Sequence, residues 1–371
     1  MQNIYQAKGQ TLIDQYRDTG SLFSKTIQDS VAKIGKSRSK LLKIRRLVAE
    51  RTWDNLKDKS ECREFVACFI SWCDGAQITP EQGMWLMADN LSGCQTVVIR
   101  YASGVALLHS EEEFRDTNHI ELHMTSPHTI SFNENGETFK SLVYNNLFPG
   151  AGLYGWQRDM IVAVDSIFLK ENEIEKVQNP LLANVIAWMV WRMKPSEADP
   201  EKIITLVNRL GTLIDGYVLN IVRKVDKVIE GYKLVLARDE AKVVNLGQEN
   251  GDFLKQVNII DPSEMTMHWA LPPRNIWRGG NKYFINRIKI LKDHAMKYHE
   301  ICNMSLQSDI LETTHLVIQK TIYGELSDFY VHEDLGAVCI GFVDHTTGTS
   351  VSCKRNERKP IQSLEYVDMI T

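Results

Sequence analysis

The sequence predicts an α+β fold in which antiparallel sheets are covered by helices. Segments with a helical period and segments with a strand period occur in separate runs, in the order helices, strands, helices, strands. Grouped runs favour antiparallel sheets, whereas a parallel doubly wound sheet requires strict alternation of strands and helices. The chain has 371 residues, of which 43% are apolar. It can therefore bury a large core.

The first run is helical and extends from about residue 22 to residue 90. Apolar residues recur at three-to-four spacing in "LLKIRRLVAERTWDNL" and in "CREFVACFISWC". The last helix of the run has Thr79 as N-cap, Pro80 in its first turn and Gln82 at the third position of a capping box. Ser92-Gly93 is a stop signal. We expect a helical leader that ends at Gly93.

After Gly93 the period changes to that of strands. "QTVVIRY" and "VALLHS" form a pair around the turn "ASG", and "HIELHMTS", "HTISFN" and "FKSLVYN" follow as further strands. The "ENG" at Glu134–Gly136 predicts a tight turn. The glycine-rich "FPGAGLYG", Phe148–Gly155, predicts a loop before the apolar strand "MIVAVDSIFL". This part of the chain is expected to build sheets from hairpins.

The second half predicts another helical block and then more strands. "PLLANVIAWMVW" indicates a buried helix, and Asp199-Pro200 opens "EKIITLVNRLGTLIDGYVLNIV", which we interpret as helical to about Val228. A hairpin around Asp239-Glu240 joins the two strands of "YKLVLARDEAKVVNLG". The helix "NRIKILKDHAMKYHEI" and the strands "DFYVHED", "AVCIGFV" and "TSVSCKR" complete the chain.

Composition narrows the classes of function. A net charge of -4 and a pI near 6.2 give no whole-chain attraction to nucleic acid or to an anionic membrane. The longest apolar run, Pro180–Trp191, is too short to cross a bilayer, and the polar N-terminus lacks the apolar core of a signal peptide. Seven cysteines without a Cys-x-x-Cys pair favour a reducing compartment. We therefore expect a cytoplasmic protein without nucleic-acid or membrane partners.

One local feature departs from this charge balance. Residues 33–51 carry eight basic residues and one acid. A basic helical face of this kind is usually solvated, and no aromatic residues are interleaved for base stacking. Docking to an acidic carrier protein, to coenzyme A or to a peptide leader stays open.

The stretch "NLSGCQTVVIRYASGVALLHSEEEF", Asn90–Phe114, carries the most specific chemical signal. It places a thiol, Cys94, at the first residue of a strand and acids at the end of the next strand. This plan resembles the cysteine branch of the N-terminal nucleophile hydrolases, which includes isopenicillin-N acyltransferase, choloylglycine hydrolase and acid-ceramidase-like amidases. In the acyltransferase-like members a helical leader ends at Gly-Cys and the second strand ends in a His/Arg-Asn-x-Asp-Trp-type motif. Here "HSEEEF" stands in for that motif, with Glu112 or Glu111 at the acid position.

The resemblance extends over most of the chain after Gly93. "FPGAGLYG" is similar to the family's Pro-Gly loop, and "FINRIKIL" is similar to its Ser-x-x-Arg helix start, which would make Arg287 the family arginine. The resemblance implies a four-layer αββα sandwich, with residues 1–93 as a helical leader or pro-segment and residues 94–371 as the catalytic core.

The implied reaction is cleavage of a linear amide bond through an acyl-enzyme on Cys94, by hydrolysis or by acyl transfer. A cysteine at a chain terminus has its own α-amine as general base, because an α-amine titrates near neutral pH. Autocleavage at Gly93–Cys94 would create that terminus. Glu112 would orient the amine, and Arg287 would hold carboxylates in bidentate geometry. The remaining expected site residues line the pocket or the oxyanion position; they are His109, Glu111, Tyr144, Asn145, Asn146, Asp165 and His268.

The sequence departs from the family pattern at the oxyanion position. The family commonly has an Asn on the strand after the glycine loop, and Asp165 stands there in "VAVDSIF". A carboxylate cannot donate a hydrogen bond unless it is protonated. A second family Asn has no clean counterpart in "IEGYKLVLARDE", and of the usual His-Thr-Asn-His segment only His268 remains, in "MTMHWA". The chemistry could be altered, supplied by backbone donors or lost.

Two alternatives stay open. The chain could be an unprocessed or non-catalytic relative that binds a ligand or a protein partner. His119, Glu121 and His123 in "HIELH" share one face of a predicted strand and could hold zinc for a metal-dependent hydrolase, although the spacing is not that of the zincins. The main interpretation requires no cofactor and no metal. Its partner is a small-molecule or peptide amide substrate, and homo-oligomers are allowed.

Overall fold

The structure, a computed structural model, describes residues 4–88, 93–101, 104–114, 127–150, 154–167, 174–237, 240–246, 335–344, 350–354 and 366–367. These residues form a mixed α+β fold with two main sheets that are mostly antiparallel and one short two-stranded sheet. The α+β class expected from the grouped runs is therefore confirmed.

The N-terminal segment is helical, as the sequence predicts. A short strand, β1 (Ile4–Gln6), precedes the helices α1 (Leu12–Leu22), α2 (Ser24–Lys36), α3 (Lys40–Leu56), α4 (Arg63–Ala76) and α5 (Pro80–Ala88). The predicted capping box of α5 is confirmed. The backbone N–H of Gln82 donates to Thr79 Oγ1 over 3.3 Å, and the backbone N–H of Thr79 donates to Gln82 Oε1 over 3.0 Å. Two donors at the start of α5 are satisfied in this way.

A large sheet of eight strands forms the centre of the described fold. Its strands lie in the order β1-β4-β5-β6-β7-β10-β11-β12, and every pair is antiparallel except β1 with β4. The further strands are β4 (Pro127–Glu134), β5 (Glu137–Tyr144), β6 (Tyr154–Gln157), β7 (Met160–Ile167), β10 (Gly216–Val225), β11 (Val228–Ala237) and β12 (Glu240–Leu246). The predicted "ENG" turn joins β4 to β5, with positive φ of 52° at Asn135 and 81° at Gly136. Two such residues suit a two-residue hairpin.

The middle block is partly a correction of the sequence interpretation. Helix α6 (Ala183–Arg192) and helix α7 (Pro200–Leu210) form as expected, and Asp199 caps α7 by accepting from the Glu201 N–H over 3.0 Å. The helix predicted to reach Val228 is wrong, because it ends at Leu210 and Gly216–Val225 is the strand β10. Two-residue strands, β8 (Pro180–Leu181) and β9 (Thr212–Leu213), pair beside this end. Tertiary pairing of β10 between β7 and β11 overrides a local pattern that is compatible with a helix.

A second, small sheet contains the predicted Cys94 hairpin. Its strands lie in the order β15-β14-β13-β3-β2, and all pairs are antiparallel. They are β2 (Gly93–Tyr101), β3 (Gly104–Phe114), β13 (Leu335–Asp344), β14 (Ser350–Lys354) and β15 (Tyr366–Val367). Cα atoms of β2 come within 8 Å of β7, and those of β3 come within 8 Å of β11. The small sheet thus approaches strands β7 and β11 of the large sheet.

The two faces of the large sheet have different neighbours. Met160, Val162 and Val164 of β7 belong to the apolar core that the helices share. The residues between them, including Ile161 and Ala163, point to the opposite face and are also buried. Strands buried on both faces read as continuous apolar runs, as "MIVAV" does.

Residues of the N-terminal segment are built into this core. Strand β1 is the edge strand of the large sheet and pairs with β4, with Ile4 opposite Thr129. The Tyr16 hydroxyl donates to the Pro149 carbonyl over 3.0 Å and accepts from Trp188 Nε1 over 2.6 Å. The segment that the resemblance identifies as a leader therefore shares one core with the large sheet.

Two glycines allow helices α1 and α4 of that segment to pack closely against each other. A Cβ at Gly75 of α4 would lie 2.1 Å from the Arg17 carbonyl oxygen, and a Cβ at Gly20 of α1 would lie 2.1 Å from the Trp72 carbonyl oxygen. Both obstacles are backbone atoms, so a side chain cannot rotate away from them. Helices α1 and α4 depend on the missing Cβ atoms to approach each other.

We expect Gly75→Ala to lower the free energy of unfolding by roughly 1–3 kcal/mol, because the added methyl forces α1 and α4 apart. Urea denaturation followed by circular dichroism measures the change. Gly35→Ala in α2 is the matched control, since its Cβ would meet only the Trp85 ring at 3.8 Å. That variant is expected to be neutral or stabilising by up to about 1 kcal/mol. Equal effects of the two substitutions would contradict the close contact.

Candidate functional site

The predicted nucleophile lies at the start of β2, opposite the acids of β3. Gly93 and Cys94 are the first two residues of β2. In the antiparallel register Cys94 pairs with Glu111, and Gly93 pairs with Glu112. His109, further along β3, pairs with Thr96. The expected proximity of the thiol-bearing residue to the acid run thus exists in the backbone, and Glu111 is the direct partner of Cys94.

The other edge of β3 adds a local irregularity. Glu112 pairs with Ala337 and Glu111 with Cys339 of β13, so the register shifts between those two β13 residues. A bulge of this kind bends one strand and often lies beside a functional site. The bulge lies beside Glu112, which pairs on its other side with Gly93 of the predicted cleavage site.

Asp165 lies on β7, the strand that β2 approaches. It pairs with Val218 of β10, is 2% exposed and accepts a hydrogen bond of 2.8 Å from Asn220 Nδ2. Its neighbour Val164 is part of the core shared with the helices, so Asp165 is on the opposite face, the side from which the small sheet approaches. The structure therefore brings Asp165 and the strand of Cys94 to the same region.

Two polar residues beside Asp165 were missed by the sequence interpretation. Asn220 of β10 and Lys233 of β11 are directly opposite each other in the register, and Asn220 also pairs with Ala163 of β7. Their strand neighbours Leu219 and Leu234 belong to the helix-side core, so both side chains share the face of Asp165. The signal that could have found them was one polar residue inside each of two apolar runs, Asn220 in "YVLNIV" and Lys233 in "YKLVLA".

Tyr144, Asn145 and Asn146 lie at the end of β5, as predicted. Tyr144 is the last residue of the strand and is 1% exposed, and Asn146 is buried in the following turn. The backbone N–H of Leu147 closes that turn by donating to the Tyr144 carbonyl over 3.0 Å. Val143 belongs to the helix-side core, so Tyr144 is on the same face as Asp165, with β6 between their strands. These residues lie at the border of the buried polar face, which is the face of the large sheet that carries Asp165, Asn220 and Lys233.

The three cysteines of the N-terminal helices have no nucleophilic character. Burial raises the pKa of the Cys62 thiol to about 11 and that of the Cys68 thiol to about 12, and it raises the pKa of the Cys73 thiol further still. These thiols are protonated at neutral pH, and the thiolate is the nucleophilic form. They are structural residues of the core.

Several predicted site residues lie outside the described residues. They are Arg287, His268 and the three residues of the zinc alternative, His119, Glu121 and His123. Among the residues that are described, no group of three or more His, Cys, Asp or Glu side chains is arranged to hold a metal ion. Within the same residues no helix is both long enough and apolar enough to cross a bilayer.

Comparison with known proteins adds no relative. No protein-family model matches the chain, and no curated protein matches it.

Proposed function

We propose that the chain is a cysteine-nucleophile amide hydrolase or acyltransferase that acts through an acyl-enzyme on Cys94. The observation that carries the proposal is the register of the small sheet. It pairs Gly93-Cys94 with Glu112 and Glu111 at the start of a strand that lies against β7, where Asp165 is buried. In the proposed site the Cys94 thiol and these acids act against the buried polar residues of β7 and β10.

The proposed maturation step is an N-to-S acyl shift at the Gly93–Cys94 bond. The Cys94 sulfur attacks the Gly93 carbonyl carbon, the C–N bond breaks, and the nitrogen takes up a proton and becomes the α-amine of Cys94. Water then hydrolyses the thioester, which leaves a Gly93 carboxylate and restores the thiol. A glycine before the bond gives the attacking sulfur room.

In each turnover Cys94, now the N-terminal residue, supplies the thiol as nucleophile and its α-amine as general base. The α-amine, with an ordinary pKa near 8, removes the thiol proton and later donates it to the leaving amine nitrogen. The substrate C–N bond breaks and a thioester to Cys94 forms. Water or an amine acceptor then attacks the thioester and releases the acid or a new amide. Glu111 or Glu112, opposite the terminus, would favour the ammonium form.

The proposed reaction needs a hydrogen-bond donor for the oxyanion, and Asn220 can supply it. Asp165 cannot donate to an oxyanion while it is ionised, whereas the amide of Asn220, one strand away, can. The 2.8 Å hydrogen bond to Asp165 holds the Asn220 amide in a fixed orientation. The other Nδ2 hydrogen has only a long contact, 3.5 Å, with the Val218 carbonyl. We assign Asp165 to orient Asn220 and this second hydrogen to be the oxyanion donor. The architecture proposed around the site is the four-layer αββα sandwich.

Intact-protein mass spectrometry of the wild type beside Cys94→Ala tests the proposal. We expect the wild type to yield two polypeptides, residues 1–93 and 94–371, and the variant to remain one chain of 371 residues. If both proteins stay whole after long incubation, autocleavage is wrong. Alkylation with iodoacetamide then decides whether Cys94 acts as an internal thiol, with the protonated Cys62, Cys68 and Cys73 as internal references of low reactivity.

A further inference from the structure

Lys233 is a buried cation on the face of the large sheet that the small sheet approaches. It lies in the middle of β11, directly opposite Asn220, and only 3% of its surface is exposed. Its neighbours along the strand, Tyr232 and Leu234, belong to the helix-side core. Within the described part of the chain Lys233 makes no hydrogen bond and no ion pair.

The other buried basic side chains of the described residues are paired with carboxylates. Arg45 is paired with Asp215 at 2.9 Å, Arg223 is paired with Glu230 at 2.9 Å, and Arg192 is paired with Glu64 and Glu134. Each guanidinium thus has a carboxylate partner, as buried charges generally do. Lys233 is the exception among the buried cations that the structure describes. Among the described residues the Lys233 side chain is thus left without a carboxylate, which makes it a candidate contact for an anion from outside the chain.

The surroundings of Lys233 include small residues and a second polar group. Gly231, two residues away on the same face, has no side chain, and Ala163 beyond Asn220 has a small one. Asn220 donates to Asp165 but its Oδ1, which is buried, accepts no hydrogen bond within the described chain. An anion at Lys233 would therefore have an acceptor for an N–H or O–H group beside it.

We propose that Lys233 binds a substrate carboxylate. The substrate class is then an amide with a free carboxylate, such as an N-acyl amino acid or the C-terminal end of a peptide. This inference rests on the proposed function, because it names the substrate class of the same site. The binding of a carboxylate at Lys233 does not itself require Cys94 to react.

Binding by the full-length Cys94→Ala variant tests the inference without turnover. The probes are N-acylglycines with acetyl, hexanoyl, decanoyl and benzoyl groups, each beside its neutral glycinamide, and calorimetry gives the dissociation constants. We expect at least one acid to bind about tenfold or more tightly than its amide, which corresponds to one charge-assisted contact. Adding Lys233→Met, which keeps the chain length and removes the charge, is expected to abolish that preference.

Lys224→Met is the matched control, since Lys224 is an exposed lysine on β10 and its loss should leave the preference unchanged. Thermal unfolding without ligand supplies a second readout. Lys233→Met should be at least as stable as its parent, because it replaces a buried polar group that has no partner within the described residues by an apolar side chain. A preference that survives Lys233→Met, or no preference in any probe pair, overturns the inference. A marked loss of stability also overturns it, because it would reveal a carboxylate partner within the chain.

The two proposals fail separately. If the wild type cleaves at Gly93–Cys94 but shows no carboxylate preference, the nucleophile stands and the carboxylate subsite does not. If the wild type stays whole and unreactive while Lys233 governs carboxylate binding, the chain is a carboxylate-binding protein without the proposed catalysis.

Discussion

Arg45→Met is expected to lower the free energy of unfolding by roughly 3–5 kcal/mol. Arg45 of α3 donates to both carboxylate oxygens of Asp215, over 2.9 Å and 3.1 Å, and also donates to the Ala88 carbonyl over 2.7 Å. The two side chains are 3% and 1% exposed. Removing the guanidinium leaves a buried carboxylate without its bidentate cation and takes a donor from the end of α5. The cost is therefore that of an uncompensated charge.

Urea denaturation gives the change in free energy, provided that the dependence on urea concentration is the same in both proteins. The double variant Arg45→Met with Asp215→Leu should recover much of the loss, because removing both charges of a buried pair is often close to neutral. Lys57→Met is a matched surface control, since the Lys57–Asp54 pair is 42% and 66% exposed. It should cost no more than about 1 kcal/mol. An Arg45→Met penalty equal to that of Lys57→Met would show that the Arg45 pair is solvated.

A chain cut between Ala88 and Gly93 is expected to stay together as one particle. The cut can be made by inserting a recognition sequence for a specific protease after Asn90, so that the result does not depend on autocleavage. The two pieces should co-elute in size-exclusion chromatography and separate only in denaturant. The reason is the extent to which the N-terminal segment is built into the rest of the fold.

Contacts of three kinds join the segment to the large sheet. Strand β1 extends the sheet at β4, and the side chain of Gln15 makes two hydrogen bonds, of 2.6 Å and 2.8 Å, with the backbone of Asn133. Phe65 and Trp72 pack against Phe148 from the loop after β5, with ring centroids 5.7 Å and 5.6 Å apart. The Arg45–Asp215 pair adds a buried electrostatic contact. Of these contacts, the burial of apolar surface stabilises the association most.

Trp72→Ala in the cut protein should weaken the association by removing a large buried ring, while Leu47→Ala should not, because Leu47 is 54% exposed. Separation of the wild-type pieces under native conditions would count against the shared core. It would favour the simple leader that the resemblance suggested. If the pieces stay together, residues 1–93 are a structural part of the mature protein whether or not the chain is processed.

The local signals in the sequence determined much of the secondary structure. The capping box of Thr79 and Gln82, the Asn135-Gly136 turn and the Asp199-Pro200 helix start all involve groups a few residues apart, so short-range hydrogen bonds and fixed φ angles decide them. The pairing of the two Cys94 hairpin strands belongs to the same class, because only two residues separate the paired Tyr101 and Gly104. Resemblance, rather than periodicity, supplied the expected chemistry of Cys94.

Long-range pairing decided the rest. The segment after Gly211 has a pattern that suits a helix or a strand, and its place between β7 and β11 made it β10. That placement set Asn220 between Asp165 and Lys233, which are 55 residues before it along the chain and 13 residues after it. No local signal joins these three residues, because their proximity depends on which strands are neighbours and on which face each residue occupies. The sequence by itself determined a thiol at a strand start and acids at the end of its partner, and only the tertiary structure decided that buried polar residues lie on the face of the large sheet that these two strands approach.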